Sequence, residues 1–67
     1  MILDNASYNK IKLLHEISEI VWFLEKHALR DAENAGDQES YNELLGLQRE
    51  LERHIERLRN AICIISQ

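Results

Sequence analysis

The chain lacks the residues that hold many very small proteins together. It has 67 residues, with no proline, two glycines and one cysteine, Cys63. One cysteine cannot form a disulfide within the chain, so the sequence excludes the cross-linked frameworks of small secreted domains. A lone cysteine fits a reducing compartment, and we therefore expect a cytoplasmic protein.

Long hydrophobic runs are missing as well. The longest apolar runs, residues 20–24 and 61–65, have five residues each, whereas a membrane-spanning helix needs about 20. Residues 1–7 contain no basic region and no long apolar stretch, so they do not resemble a secretory signal. We expect a protein with no membrane partner.

Excess positive charge and the common catalytic motifs are also absent. Eight Lys and Arg residues against 12 Asp and Glu residues give a formal net charge of −4, which argues against nucleic-acid binding through bulk charge. The sequence contains no glycine-rich phosphate loop, no nucleophile elbow and no paired catalytic carboxylates. We therefore expect a non-enzymatic protein without a cofactor.

Apolar residues are plentiful, and in the first half of the chain they recur at spacings of three and four, which indicates one face of a helix. This first stripe consists of Leu13, Leu14, Ile17, Ile20, Val21, Leu24, Ala28, Ala32 and Ala35. Ile11, Trp22 and Leu29 form a neighbouring stripe, and together the stripes cover more than half of the helix. One partner helix covers about a third, so the remaining apolar surface predicts a second copy of the chain.

The turn signals fall in the middle of the chain. Gly36 suits the left-handed position after a helix, because it has no Cβ to clash there. Ser40 and Glu43 have the spacing of a capping box, and Asp37 is an alternative cap one turn earlier. The short connection between these signals predicts two antiparallel helices, over residues 5–35 and 41–64.

The second predicted helix carries a coiled-coil seam with spacings of four and three. The seam consists of Leu44, Gln48, Leu51, Ile55, Leu58, Ile62 and Ile65. The predicted fold is therefore all-α: residues 1–67 form a single antiparallel two-helix hairpin that dimerises into a four-helix bundle. A tetramer stays open, because residues 63–65 add apolar surface at the end of the chain.

We expect the second stripe to mediate self-association. The interface residues are predicted to be Ile11, Trp22, Glu25, Leu29 and His54. Glu25 and His54 interrupt apolar sides of the two helices and are expected to pair there with each other or with a neighbouring Arg, since a buried carboxylate needs a partner. Phe23 lies on the most polar face of the first helix and is the candidate contact for an outside protein.

Three polar residues are predicted at one level of the hairpin core. His27 and Asp31 are four residues apart on the core-facing side of the first helix, and Gln48 lies in the seam. We interpret them as a hydrogen-bonded layer that fixes register. The alternative is a metal-binding bundle that adds Glu25 and His54, although the chain has no Glu-x-x-His motif and its His and Cys residues lie at different heights. No metal is expected.

Arg49, Arg53 and Arg57 form a basic ridge on the second helix. Acidic residues interleave with the ridge, which favours a solvated face, and the alternative function is an RNA-binding hairpin dimer. The function that the sequence favours is a small, non-enzymatic oligomerising adaptor or regulator that binds an unidentified protein partner through its bundle surface.

Overall fold

The computed structural model describes residues 5–65, with the side chains of residues 5–62. α1 spans Asn5–Phe23, a π-helical turn spans Leu24–Ala28, α2 spans Leu29–Asn34, and α3 spans Gln38–Ile65. The first three elements run on as one helical rod, here called the first arm, which packs against α3. The predicted all-α hairpin is therefore confirmed, and within residues 5–65 neither arm is apolar over a length that could cross a membrane.

The hairpin turns at residues 35–37 through a Schellman motif. Gly36 has a φ of 72°, its N–H donates to the carbonyl of Glu33 (3.1 Å), and the N–H of Asp37 donates to the carbonyl of Ala32 (2.9 Å). Of the two caps that the sequence allowed, the structure uses Asp37. Its carboxylate accepts from the backbone N–H (3.1 Å) and the hydroxyl (2.8 Å) of Ser40, so α3 begins at Gln38 rather than near residue 41.

The π-helical turn changes which residues of the first arm face α3. Up to Leu24 the residues that face α3 follow spacings of three and four, and continuing them would place Ala28 and Asp31 in the core. Leu29 and Ala32 are buried instead, because a π-turn contains one extra residue and shifts everything after it by one position. Leu29, which the sequence predicts at the self-association interface, is therefore buried in the hairpin core. Asp31, which it predicts to face the core, is exposed.

The core of one hairpin is small and the molecule is long. The buried apolar side chains are Val21, Leu24, Leu29 and Ala32, and no side chain within residues 5–62 is less than 2% exposed. The hairpin measures 50 × 15 × 15 Å. Its radius of gyration of 15.1 Å exceeds the ~11 Å expected of a compact domain of this length. Its accessible surface of 5411 Å² exceeds the ~4,400 Å² expected of a compact monomer of this mass.

Candidate functional site

A groove with charged walls runs along one side of the hairpin. It lies between α1 and α3 and is lined by Ser18, Val21, Ile55, Glu52, Glu56 and Arg59. We call it the acidic groove, since two of its three charged residues are carboxylates. It also identifies which edges of the two arms lie on the same side of the hairpin.

Gln48 extends the acidic groove toward the turn. This residue is buried, with 8% of its surface exposed, and its Nε2 donates to Oε2 of Glu25 (3.4 Å) and to Oε2 of Glu52 (3.3 Å). Its Oε1 is buried and has no hydrogen-bond partner among the described residues. The predicted polar layer is therefore only partly correct: Gln48 is buried, but Glu25 takes the place predicted for His27 beside it, and His27 is exposed.

The opposite side of the hairpin is apolar. Residues two apart on a helix point about 200° apart, so Ile20 faces away from Ser18, and His54 faces away from Glu52. Leu13 and Leu47 lie seven residues from Ile20 and His54 and share their sides. We call this surface the apolar face; its members are Leu13, Ile20, Leu47 and His54, with the half-buried Leu51 and Leu58 between the arms. Leu13, Ile20 and Leu47 are 51%, 47% and 46% exposed.

The structure divides the five predicted interface residues among three places. Leu29 is buried in the hairpin core, and His54 lies on the apolar face. Ile11 and Trp22 are exposed on the edge of α1 that borders the acidic groove, and Glu25 hydrogen-bonds with Gln48 on that same side. Glu25 and His54 therefore lie on opposite sides of one hairpin and cannot pair within it, and the five residues do not make one continuous surface.

An exposed aromatic cluster lies where α1 meets the π-helical turn. The His27 ring is 5.5 Å from the Trp22 ring at an interplanar angle of 63°, and 5.3 Å from the Phe23 ring at 30°. In a regular α-helix residues five apart point about 140° apart, but the wider π-turn makes neighbours of residues four and five apart. The π-turn thus places His27 between two aromatic rings, each of which is 54% exposed.

A shallow hollow of about 550 Å³ adjoins the aromatic cluster. Its lining residues are His15, Ser18, Glu19, Trp22 and Phe23. The Oε2 atom of Glu19 lies 3.6 Å from Nε2 of His15, an ion pair only when the histidine is protonated. The hollow therefore combines large aromatic surfaces with a carboxylate.

The basic ridge is exposed but partly neutralised. Arg53 donates through a guanidinium nitrogen to Oε2 of Glu50. This hydrogen bond, followed by the positive charge of Arg53, lowers the pKa of Glu50 below its ordinary value. Of the three ridge residues, Arg49 and Arg57 are also exposed. The ridge offers phosphates less free charge than the sequence suggests.

The residues of the alternative metal-binding prediction do not converge on one point. Glu25 and His54 lie on opposite sides of the hairpin, His27 belongs to the aromatic cluster, and Asp31 is exposed. Among the residues that the structure describes, no three His, Cys, Asp or Glu side chains are placed to hold a metal ion. The side chain of Cys63 lies outside the described residues.

Comparison of the chain with protein-family models, with curated proteins and with solved structures finds no match.

Proposed function

We propose that the chain is a small, non-enzymatic oligomerising adaptor, in which two hairpins pair through their apolar faces into a four-helix bundle that presents its outer surface to a protein partner. The observation that carries this proposal is the apolar face itself. Three large aliphatic side chains on it are about half exposed, although only four apolar residues are buried among residues 5–62. An apolar surface of this kind on a protein with so small a core favours association.

The free energy available from pairing is comparable with the stability that the core of one hairpin can supply. Leu13, Ile20 and Leu47 are each about half exposed, so covering each one contributes about 1 kcal/mol. A dimer covers both copies of each residue. An isolated hairpin of this size has a core that supplies only ~3–5 kcal/mol at best, so pairing adds a comparable amount before the cost of association.

The dimensions of the hairpin suit a stable dimer. A side of 50 by 15 Å has a projected area of about 750 Å², close to the ~800 Å² that each partner contributes to a standard interface. The surface that the chain exposes beyond the value for a compact monomer, roughly 1,000 Å², is of the same size. One full side of each hairpin is therefore large enough to form a dimer interface of standard size.

The charged residues indicate which side of the hairpin is the better candidate for the dimer interface. Pairing two acidic grooves would bring Glu25, Glu52 and Glu56 of one copy near those of the other, and buried like charges are costly. On the apolar face His54 is the one titratable side chain among the four exposed members. Charge therefore favours the apolar face over the side that carries Ile11 and Trp22.

The test compares two substitutions of the same residue type in the same helix. Ile20→Glu places a charge on the apolar face, and Ile11→Glu places one on the opposite edge, where Ile11 is 42% exposed and Ile20 is 47% exposed. We expect sedimentation equilibrium to give a dimer of about twice 7.9 kDa for the unmodified chain and for Ile11→Glu, and a monomer for Ile20→Glu.

Each other result contradicts a definite part of the proposal. If Ile11→Glu gives a monomer and Ile20→Glu gives a dimer, the interface is the edge that carries Ile11 and Trp22. If the unmodified chain sediments as a folded monomer, the self-association proposal is wrong. Circular dichroism of each variant separates a folded monomer from an unfolded chain.

A further inference from the structure

We propose that the aromatic cluster of Trp22, Phe23 and His27, together with Glu19, forms a binding site for an arginine side chain of a partner protein. The site deepens the proposed adaptor function by naming the chemistry of its partner. It rests on that function only in one respect, namely that the cluster must stay accessible in the dimer. Trp22 and Ile20 are two residues apart and point about 200° apart, so pairing through the apolar face leaves the Trp22 ring uncovered.

The π-helical turn gives the cluster its shape. π-helical residues make up well under 1% of residues in globular proteins, and single π-turns occur frequently at functional sites. Here the turn has a packing effect, since it brings Leu29 into the core. It also places the His27 ring against the Trp22 and Phe23 rings at 5.5 and 5.3 Å, although both of those rings stay half exposed. Packing alone does not account for two large exposed rings supported by a third.

The charge among the residues that line the hollow favours a cation as the ligand. Glu19 is the acid among the described residues that line the hollow, and its side chain is 66% exposed. Oε2 of Glu19 lies 3.6 Å from Nε2 of His15, which carries a charge only when protonated. A cation over the face of an exposed Trp or Phe gains about 0.5–1 kcal/mol from the ring quadrupole, and a carboxylate at the rim adds an ion pair. An anionic ligand would be repelled by the same carboxylate.

Arginine suits this arrangement better than lysine. Its guanidinium is planar and weakly hydrated, so it can stack on an aromatic face while its N–H groups donate in parallel to one carboxylate. The ammonium of lysine is compact and strongly hydrated, and it would lose more on leaving water for the aromatic wall. Trp22, which supplies the largest ring, is at the same time the only tryptophan of the chain.

The single tryptophan makes the test direct. The probe is an acetylated and amidated Gly-Arg-Gly peptide, and its control is the same peptide with citrulline, which has nearly the same shape but no charge. We expect the arginine peptide to change Trp22 fluorescence saturably and the citrulline peptide to bind at least about fivefold more weakly. Glu19→Gln should weaken binding of the arginine peptide several-fold, and Glu39→Gln, an exposed change in the first turn of α3, should leave it unchanged.

Three results would overturn the proposal: no saturable change with the arginine peptide, equal binding of both peptides, or equal effects of Glu19→Gln and Glu39→Gln. The last would mean that the peptide responds to the net negative charge of the chain rather than to this site. Sedimentation of the same samples keeps the two proposals separate. A monomer that still discriminates arginine from citrulline contradicts only self-association, whereas a dimer that does not discriminate them contradicts only the arginine site.

Discussion

Gln48 helps to fix the level at which the two arms pack, but its side chain adds little to the stability of the hairpin. The amide N–H₂ group of Gln48 donates to the carboxylates of Glu52 (3.3 Å) and Glu25 (3.4 Å). Its amide oxygen is buried and has no hydrogen-bond partner among the described residues. A buried polar atom that lacks a hydrogen bond costs about 1–3 kcal/mol, whereas an ordinary hydrogen bond contributes about 1 kcal/mol net. The amide therefore adds little to stability, and its value lies in fixing the level at which Glu25 and α3 meet.

Replacing this amide with a hydrocarbon should stabilise the hairpin. Gln48→Leu removes the unpartnered oxygen and adds an apolar side chain next to the small core, so we expect the free energy of unfolding to rise by about 1–2 kcal/mol. Urea unfolding followed by circular dichroism at one fixed chain concentration measures the change. Gln38→Leu, at an exposed position, is the control and should stay within about 0.5 kcal/mol. A less stable Gln48→Leu chain would show that the hydrogen bonds to the two carboxylates outweigh the unpaired oxygen.

At the scale of the elements, the π-helical turn reconciles two stretches of sequence that a regular helix would misalign. Leu24 and Leu29 are both buried, yet they are five residues apart, which no single face of an α-helix allows. Removing one residue between them restores a spacing of four and leaves Leu29 and Ala32 three apart as before. The turn thus acts as a one-residue insertion in an otherwise regular seam.

Deletion of Lys26 should therefore keep the fold. Lys26 is exposed within the π-turn, and without it the first arm is expected to run as an unbroken α-helix with the same core, at equal or greater stability. The control is deletion of Ser18, also exposed, which rotates the preceding part of α1 by about 100° against α3 and should abolish cooperative unfolding. Thermal unfolding by circular dichroism compares the two. Equal loss of structure in both deletions would mean that the π-turn is not an inserted residue.

The elements that the sequence predicted correctly are those that depend on local chemistry. The apolar period gives the helices, and Gly36 with Asp37 gives the turn, because a positive φ and an N-cap each need particular residue types. The π-turn left no such signal. Ala28 and Leu29 are adjacent and both apolar, so a period of 3.6 accommodates either, and only packing against α3 selects the larger side chain.

The site residues could not be grouped correctly from the sequence for a similar reason: the sequence does not reveal the register of the first arm against α3. Once the register shifts, His27 joins Trp22 and Phe23 instead of Gln48, and Leu29 leaves the surface. The way in which the two arms pack decides which edge of the first arm lies on the same side of the hairpin as a given edge of α3. The helical pattern of one arm does not contain that information. This is why Glu25 and His54, although both interrupt apolar stripes, lie on opposite sides.

At the scale of the whole molecule, self-association should stabilise the fold, so folding and pairing should be coupled. Within residues 5–62 only four apolar side chains are buried, which leaves a single 50 Å hairpin close to the limit of stability, so we expect covering of the apolar face to contribute to the folded state. For a dimer that unfolds to two separate chains, each tenfold rise in concentration stabilises the folded form by about 1.4 kcal/mol per dimer.

We expect the thermal midpoint of the unmodified chain, followed by circular dichroism, to rise with concentration accordingly. Ile20→Glu should melt at a lower temperature that does not depend on concentration, while Ile11→Glu keeps the dependence. A concentration-independent midpoint for the unmodified chain would mean that one hairpin is stable by itself, and its apolar face would then have to be covered by a different protein.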